Sequence, residues 1–195
     1  MKKFRIAIFA SGNGTNAERF FTHFRGHPQI EVVLLLCNKA NAFVLERARN
    51  ANIKTEVFDK AQFVSGEVLK ILEENSVTHV VLAGFLWLVP GHITAAFPNR
   101  VINIHPALLP KFGGKGMYGS KVHEAVKDSG DKETGITIHL VNEQYDEGKV
   151  IFQTRTNVDE GDSPEDIAAK VHALEYEHYP KVVENWILKA ESTRG

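Results

Sequence analysis

The chain has 195 residues, 43% hydrophobic and 24% charged, which is enough apolar material for one large globular domain and excludes a disordered chain. Its 23 basic and 24 acidic side chains leave a formal charge of -1, so no global positive field exists to hold nucleic acid. Cys37 is the only cysteine, which excludes an internal disulfide and a multi-cysteine metal site and reads as a buried structural thiol.

The apolar stretch 6–10 ahead of Gly12 is too short for a secretory signal. The longest apolar run, 80–89, is far short of the ~20 residues of a membrane helix. No membrane partner and a cytoplasmic location are therefore expected. Strands are predicted at 5–10, 31–37, 54–58, 79–83 and 101–105, with helices at 16–25, 43–50, 67–75 and 91–97 between them. These strands are too apolar for a wet face, so helices should cover both sides of a mostly parallel, doubly wound sheet in a three-layer α/β fold. Ligands of such sheets gather at the carboxyl ends of the strands, which selects the loops 11–16, 38–43, 84–89 and 105–120.

After about Gly130 the pattern changes. Residues 135–141 and 150–158 are β-rich, and the turn Asp146-Glu147-Gly148 between them predicts an antiparallel C-terminal extension of the sheet. Ser163-Pro164-Glu165-Asp166 then has the composition of a helix start. The final long helix is predicted to run to about Tyr179, to bend or end at Pro180, and to resume through Trp186. No repeat or linker interrupts the chain, so residues 1–195 are expected to form a single domain.

Three features carry chemistry. The loop Ser11-Gly12-Asn13-Gly14-Thr15-Asn16 joins a strand to a helix, where two glycines permit a tight turn and free N–H groups bind an anion. Ala17 stands where a dinucleotide fingerprint needs its third glycine, and no acidic residue ends the second strand, so a bare phosphate site fits better than a nucleotide site. On the fifth strand Asn103 and His105 share a face at the carboxyl end, an amide donor beside a titratable imidazole. Such a pair stabilises an oxyanion and moves a proton. Asp146, in the turn of the extension, is placed to approach His105 and favour its imidazolium form. The nine histidines include no HExxH or comparable ligand spacing, so no metal is expected. Residues 111–120 contain four glycines and two lysines directly after this strand, which predicts a mobile cover over the site. The apolar stretch 84–89 reads as a wall for a flat aromatic ligand or as core.

These residues, with Asn38-Lys39-Ala40, Leu45-Glu46-Arg47-Ala48, Leu82-Ala83-Gly84-Phe85, Leu108-Leu109-Pro110 and Asp146-x-Gly148, resemble the phosphoribosylglycinamide formyltransferases. The likeness covers essentially the whole chain. The Asn103-x-His105-Pro106 pattern with a distant aspartate is shared by the wider family that uses 10-formyltetrahydrofolate. The resemblance implies formyl transfer from 10-formyltetrahydrofolate, as co-substrate, to glycinamide ribonucleotide in purine biosynthesis, with catalysis by Asn103, His105 and Asp146. It implies ribonucleotide contacts at Gly14, Thr15, Asn16 and Glu175. It places the folate at Leu86, Trp87, Leu88, Val89, Asn103, Val141 and Asp146. Small-molecule substrates are the expected partners, and the oligomeric state is left open, a homodimer included.

Three departures stand out. Trp87 occupies a position where the family commonly has arginine, the segment 58–79 is shorter than the common form, and the loop 111–120 is longer. Methionyl-tRNA formyltransferase and formyltetrahydrofolate hydrolase are the nearest alternatives, each expected to carry a further domain for which this sequence leaves no room. A nicotinamide-dependent dehydrogenase is opposed by the missing glycine and acidic residue. A non-catalytic phosphate-binding module is opposed by the Asn103, His105 and Asp146 set.

Overall fold

Strand by strand, the apolar runs find one another in a computed structural model that describes residues 3–192. The parallel part of the sheet comprises β1 (Phe4–Ala10), β2 (Ile30–Cys37), β3 (Lys54–Val57), β4 (His79–Leu82) and β5 (Val101–His105). β6 (Glu133–Leu140) then pairs antiparallel with β5, and β7 (Val150–Asn157) pairs antiparallel with β6. The seven strands lie in the order β3-β2-β1-β4-β5-β6-β7. The chain thus winds outward from β1 in both directions. The ends of the expected single domain, 1–2 and 193–195, lie outside the described residues.

Alternation along β1 shows why three layers form. Ile6 and Ile8 enter one core with Phe20 and Phe21 of helix α1 (Thr15–His23) and Val44 and Ala48 of α2 (Val44–Asn50). Ala7 and Phe9 point the other way, toward Phe63 of α3 (Lys60–Ser65), Val68 and Leu72 of α4 (Glu67–Glu74) and Ile93 of α5 (Gly91–Ala96). Each fully buried Ile, Leu or Phe contributes about 1.5–3 kcal/mol by leaving water. Both faces of the sheet are covered in this way.

Two helices escape the sequence reading. One is α3, although Asp59 and Gln62 form a reciprocal capping box, a signal present in the sequence. The other is α6 (Ser120–Ser129), which buries Val122 and Val126 one turn apart and ends at left-handed Gly130. The final helix, α7 (Pro164–Ser192), does not end at Pro180, one of the two outcomes expected there, but continues through it and past Trp186. Proline removes one hydrogen bond there, but Val171, Tyr179, Val183 and Ile187 flank it on one fully buried face. The Tyr179 hydroxyl lies 2.9 Å from the Leu82 carbonyl, and the ring meets Phe20 edge-on at 4.9 Å. Packing of that face outweighs the local cost of the proline. Among the described residues, no helix is long and apolar enough to cross a membrane.

Candidate active site

At the carboxyl end of β1 the chain turns into α1 through Gly14, whose φ of 80° is left-handed. No side chain caps the helix, so its first N–H groups face the cavity without a side-chain partner. The loop is held from behind. Ser11 N–H donates to the Gly84 carbonyl at 3.1 Å, and Ser11 Oγ accepts from Leu86 N–H at 3.2 Å. Arg47 binds the Asn13 carbonyl at 3.0 Å and Asn13 Oδ1 at 2.7 Å. A Cβ at Gly14 would overlap the Val44 side chain, whereas one at Gly12 meets nothing within 4 Å. Gly14 is therefore required for the approach of α2, a reason the sequence does not reveal.

The β5–β6 register sets Asn103 opposite His139 and His105 opposite Thr137. His139 Nδ1 donates to the Leu140 carbonyl at 2.9 Å, which leaves Nε2 facing the Asn103 amide at 3.2 Å and Asp146 Oδ1 at 3.5 Å. His105 Nε2 donates to the Phe112 carbonyl at 2.8 Å, and Nδ1 lies 3.5 Å from Asp146 Oδ2. That carboxylate oxygen also accepts the Gly114 N–H at 2.9 Å. Asp146 itself sits at a φ of 57°, and a side chain at Gly148 would overlap the Leu140 carbonyl, so the turn folds tightly back on β6. Thr137 secures the exit from β5, donating to the Ala107 carbonyl at 2.7 Å and accepting from Leu109 N–H at 3.0 Å.

Burial pushes the His105 pKa below 6.5, and the Asp146 charge and the Phe112 carbonyl only partly restore it. The imidazolium expected from sequence is thus disfavoured at rest, because the ring is 3% exposed and desolvation dominates. For Asp146, burial acts upward, but the His139 bond, the His105 charge and the Gly114 N–H outweigh it and hold the carboxyl below 3.8. A neutral base beside a committed anion is the resulting arrangement. The cover predicted at 111–120 begins pinned, since Phe112 and Gly114 occupy His105 and Asp146.

Glu175 of α7 is 4% exposed, and its Oε2 accepts from the Asn16 amide at 2.9 Å and from His172 at 2.8 Å. The Glu175 bond raises the His172 pKa. His172 stacks on Tyr176, over which the Arg19 guanidinium rests at 4.7 Å. On the β4 side, Trp87 packs with Phe58, Phe63 and Phe85, and Lys60 Nζ lies 4.8 Å above its ring.

One cavity of about 880 Å³ gathers the residues expected to act in catalysis, ribonucleotide binding and folate binding: Asn103, His105 and Asp146; Gly14, Thr15, Asn16 and Glu175; Leu86, Trp87, Leu88, Val89 and Val141. Sequence reasoning missed His123, His139 and His172, which line it too. The alternation of β6 put Thr137 and His139 on one face, but only the β5–β6 register shows that this face meets Asn103. Among the described residues, no group of three or more His, Cys, Asp or Glu side chains is placed to hold a metal ion.

The arrangement has close counterparts. Residues 4–183 match the formyl transferase family model. A chloroplastic phosphoribosylglycinamide formyltransferase of Arabidopsis thaliana is 42% identical over 92% of this chain, and the chain spans 64% of that relative's length. For the Vigna unguiculata relative that share is 61%. Phosphoribosylglycinamide formyltransferase of Bacillus subtilis (strain 168) is 36% identical over 94% of this chain and 93% of its own length. The crystal structure of phosphoribosylglycinamide formyltransferase from Bacillus halodurans superposes with a TM-score of 0.87 at 36% identity, covering 95% of this chain and 96% of that one.

Proposed function

The chain belongs to the formyl transferase family, and on that premise we propose that it moves a formyl group from 10-formyltetrahydrofolate to the amine of glycinamide ribonucleotide. The products are formylglycinamide ribonucleotide and tetrahydrofolate, a step of de novo purine biosynthesis. The observation that carries this reading is the meeting of Asn103, His105 and Asp146 in the same cavity as the Ser11–Asn16 helix start. Two small-molecule substrates, one 1–195 formyltransferase domain and a cytoplasmic location belong to the same proposal; a homodimer stays open.

The ribonucleotide phosphate sits on the N–H groups of Gly14, Thr15 and Asn16, where the helix dipole favours an anion. The folate ring lies against Leu86, Trp87, Leu88 and Val89 and the turn from Val141 to Asp146. The neutral amine attacks the formyl carbon, a C–N bond forms, and the carbonyl electrons move onto oxygen. The Asn103 amide donates to that oxyanion. Neutral His105 takes the proton released by the new ammonium, and Asp146 stabilises the imidazolium so formed. Collapse breaks the bond to folate N10, which leaves with a proton returned by His105. For this chemistry the Phe112 carbonyl must withdraw from His105 Nε2 and the ring proton must move to Nδ1, where Asp146 accepts it, so substrate binding displaces the first part of the cover.

Spectrophotometric tetrahydrofolate release tests the reading: it should depend on glycinamide ribonucleotide and match formylated product one for one. Release at the same rate without ribonucleotide would make the protein a hydrolase and overturn it.

The phosphate loop makes a separate prediction. Gly12→Ala should leave the melting temperature nearly unchanged, because the added Cβ meets no protein atom, and weaken ribonucleotide binding, because Gly12 lines the cavity. Gly14→Ala should instead lower stability by about 1–3 kcal/mol, since its Cβ overpacks against Val44. Thermal melts with calorimetry of each ligand separate the two outcomes. Unaltered ribonucleotide affinity in Gly12→Ala would place the ribonucleotide away from Gly12.

A further inference from the structure

His123 on α6 lines the cavity, yet the chemistry above does not use it. The side chain is 4% exposed, and its Nδ1 is sealed with no hydrogen-bond partner. Its ring stands 6.2 Å from that of His172. Burial first, and the neighbouring His172 second, depress its pKa below 6.5, with Glu175 acting the other way. The ring is therefore neutral, with one N–H and one lone pair. A proton on the sealed Nδ1 finds no acceptor, so the N–H belongs on Nε2, the nitrogen left open to the cavity.

Other groups lining the same cavity show the same unfinished bonding. Asn16 Oδ1 is buried without a partner, although its amide N–H is spent on Glu175. Glu175 Oε2 accepts twice, from Asn16 and His172, while Oε1 accepts from neither. A donor on α6 thus shares one cavity with acceptors on α1 and α7. A hydroxyl is the group that satisfies both, because it accepts through oxygen and donates its own proton. A ligand that reaches from the Ser11–Asn16 loop to the Asn103 and His105 pair carries such hydroxyls on the sugar between its phosphate and its amine.

We propose that His123 is a positioning residue for the ribonucleotide, donating from Nε2 to a sugar hydroxyl whose proton goes to Glu175. This rests on the substrate assignment above. It makes His123 a determinant of selectivity for ribose over deoxyribose and leaves the formyl donor untouched.

Two variants separate the ring nitrogens, because an asparagine amide reaches the place of Nδ1 and a glutamine amide that of Nε2. Steady-state kinetics are measured for wild type, His123→Asn and His123→Gln with glycinamide ribonucleotide and its 2′-deoxy and 3′-deoxy analogues. Wild type should use one analogue about tenfold less well, the scale of one hydrogen bond. His123→Asn should raise the ribonucleotide KM by a similar factor, change kcat and the folate KM far less, and discriminate less than wild type against that analogue, because only the hydroxyl's bond to Glu175 remains. His123→Gln should recover most of the loss. Equal defects in the two variants, or the full wild-type discrimination retained in His123→Asn, would overturn the proposal. So would a wild type indifferent to both analogues, a result that needs no variant to fold. Failure of wild type to formylate the ribonucleotide at all would instead strike the substrate assignment, and this inference with it.

Discussion

His105→Ala is expected to cut turnover by about 10² to 10⁴, the contribution of a general acid–base group, while the protein stays folded. The side chain projects from the end of β5 into the cavity, and the core on either side is held by Ile102 and Ile104. Deleting the imidazole removes the proposed proton acceptor and frees the Phe112 carbonyl, but the β5–β6 ladder and the Thr137 anchor remain. Asn103 would still donate to the oxyanion, so the residual rate measures what binding and that amide supply alone. Stopped-flow or steady-state folate release, with circular dichroism as the check on folding, decides the matter. A folded variant that turns over at the wild-type rate removes His105 from the chemistry.

The parts legible in the sequence were those with a local physical signature. Runs such as Ile6 to Ala10 and Val32 to Cys37 are apolar on both faces, and a chain can bury such strands only under helices on two sides. The period of two along β5 was enough to put Asn103 beside His105. What escaped depends on contacts distant in sequence. His139 completes the Asn103 and Asp146 array only through the antiparallel register of β6 on β5. The persistence of α7 through Pro180 comes from Tyr179 packing beneath β4 and β5, which no local propensity reports. The charge state of His105 turned on burial, the largest influence on its pKa and one that a carboxylate in a turn cannot announce. Asp59 and Gln62, by contrast, carried a readable helix start that the sequence reading passed over.

The other large effect is expected from Asp146→Asn, which should lower turnover by a factor on the order of 10² to 10⁴, as when a histidine loses its orienting carboxylate. Asp146 is the one anion shared by His105 at 3.5 Å and His139 at 3.5 Å. Its charge is the chief influence opposing the burial that depresses the His105 pKa, so the amide should let that pKa fall further. In the proposed mechanism His105 works from its neutral form, and the acid limb of kcat/KM should therefore move to lower pH. The plateau should drop at the same time, because the imidazolium formed during transfer has lost its counter-charge. Stability should follow a related course. The Asp146 pKa is held below 3.8, so its contribution is fully present above that value and disappears as pH falls through the lower folded one. The wild-type advantage in melting temperature over Asp146→Asn should accordingly narrow in acid. Imidazole titration by NMR reads the coupling directly. An unchanged His105 midpoint in the variant would mean that the two groups do not interact, and Asp146 would be left as the residue that shapes the turn before Gly148.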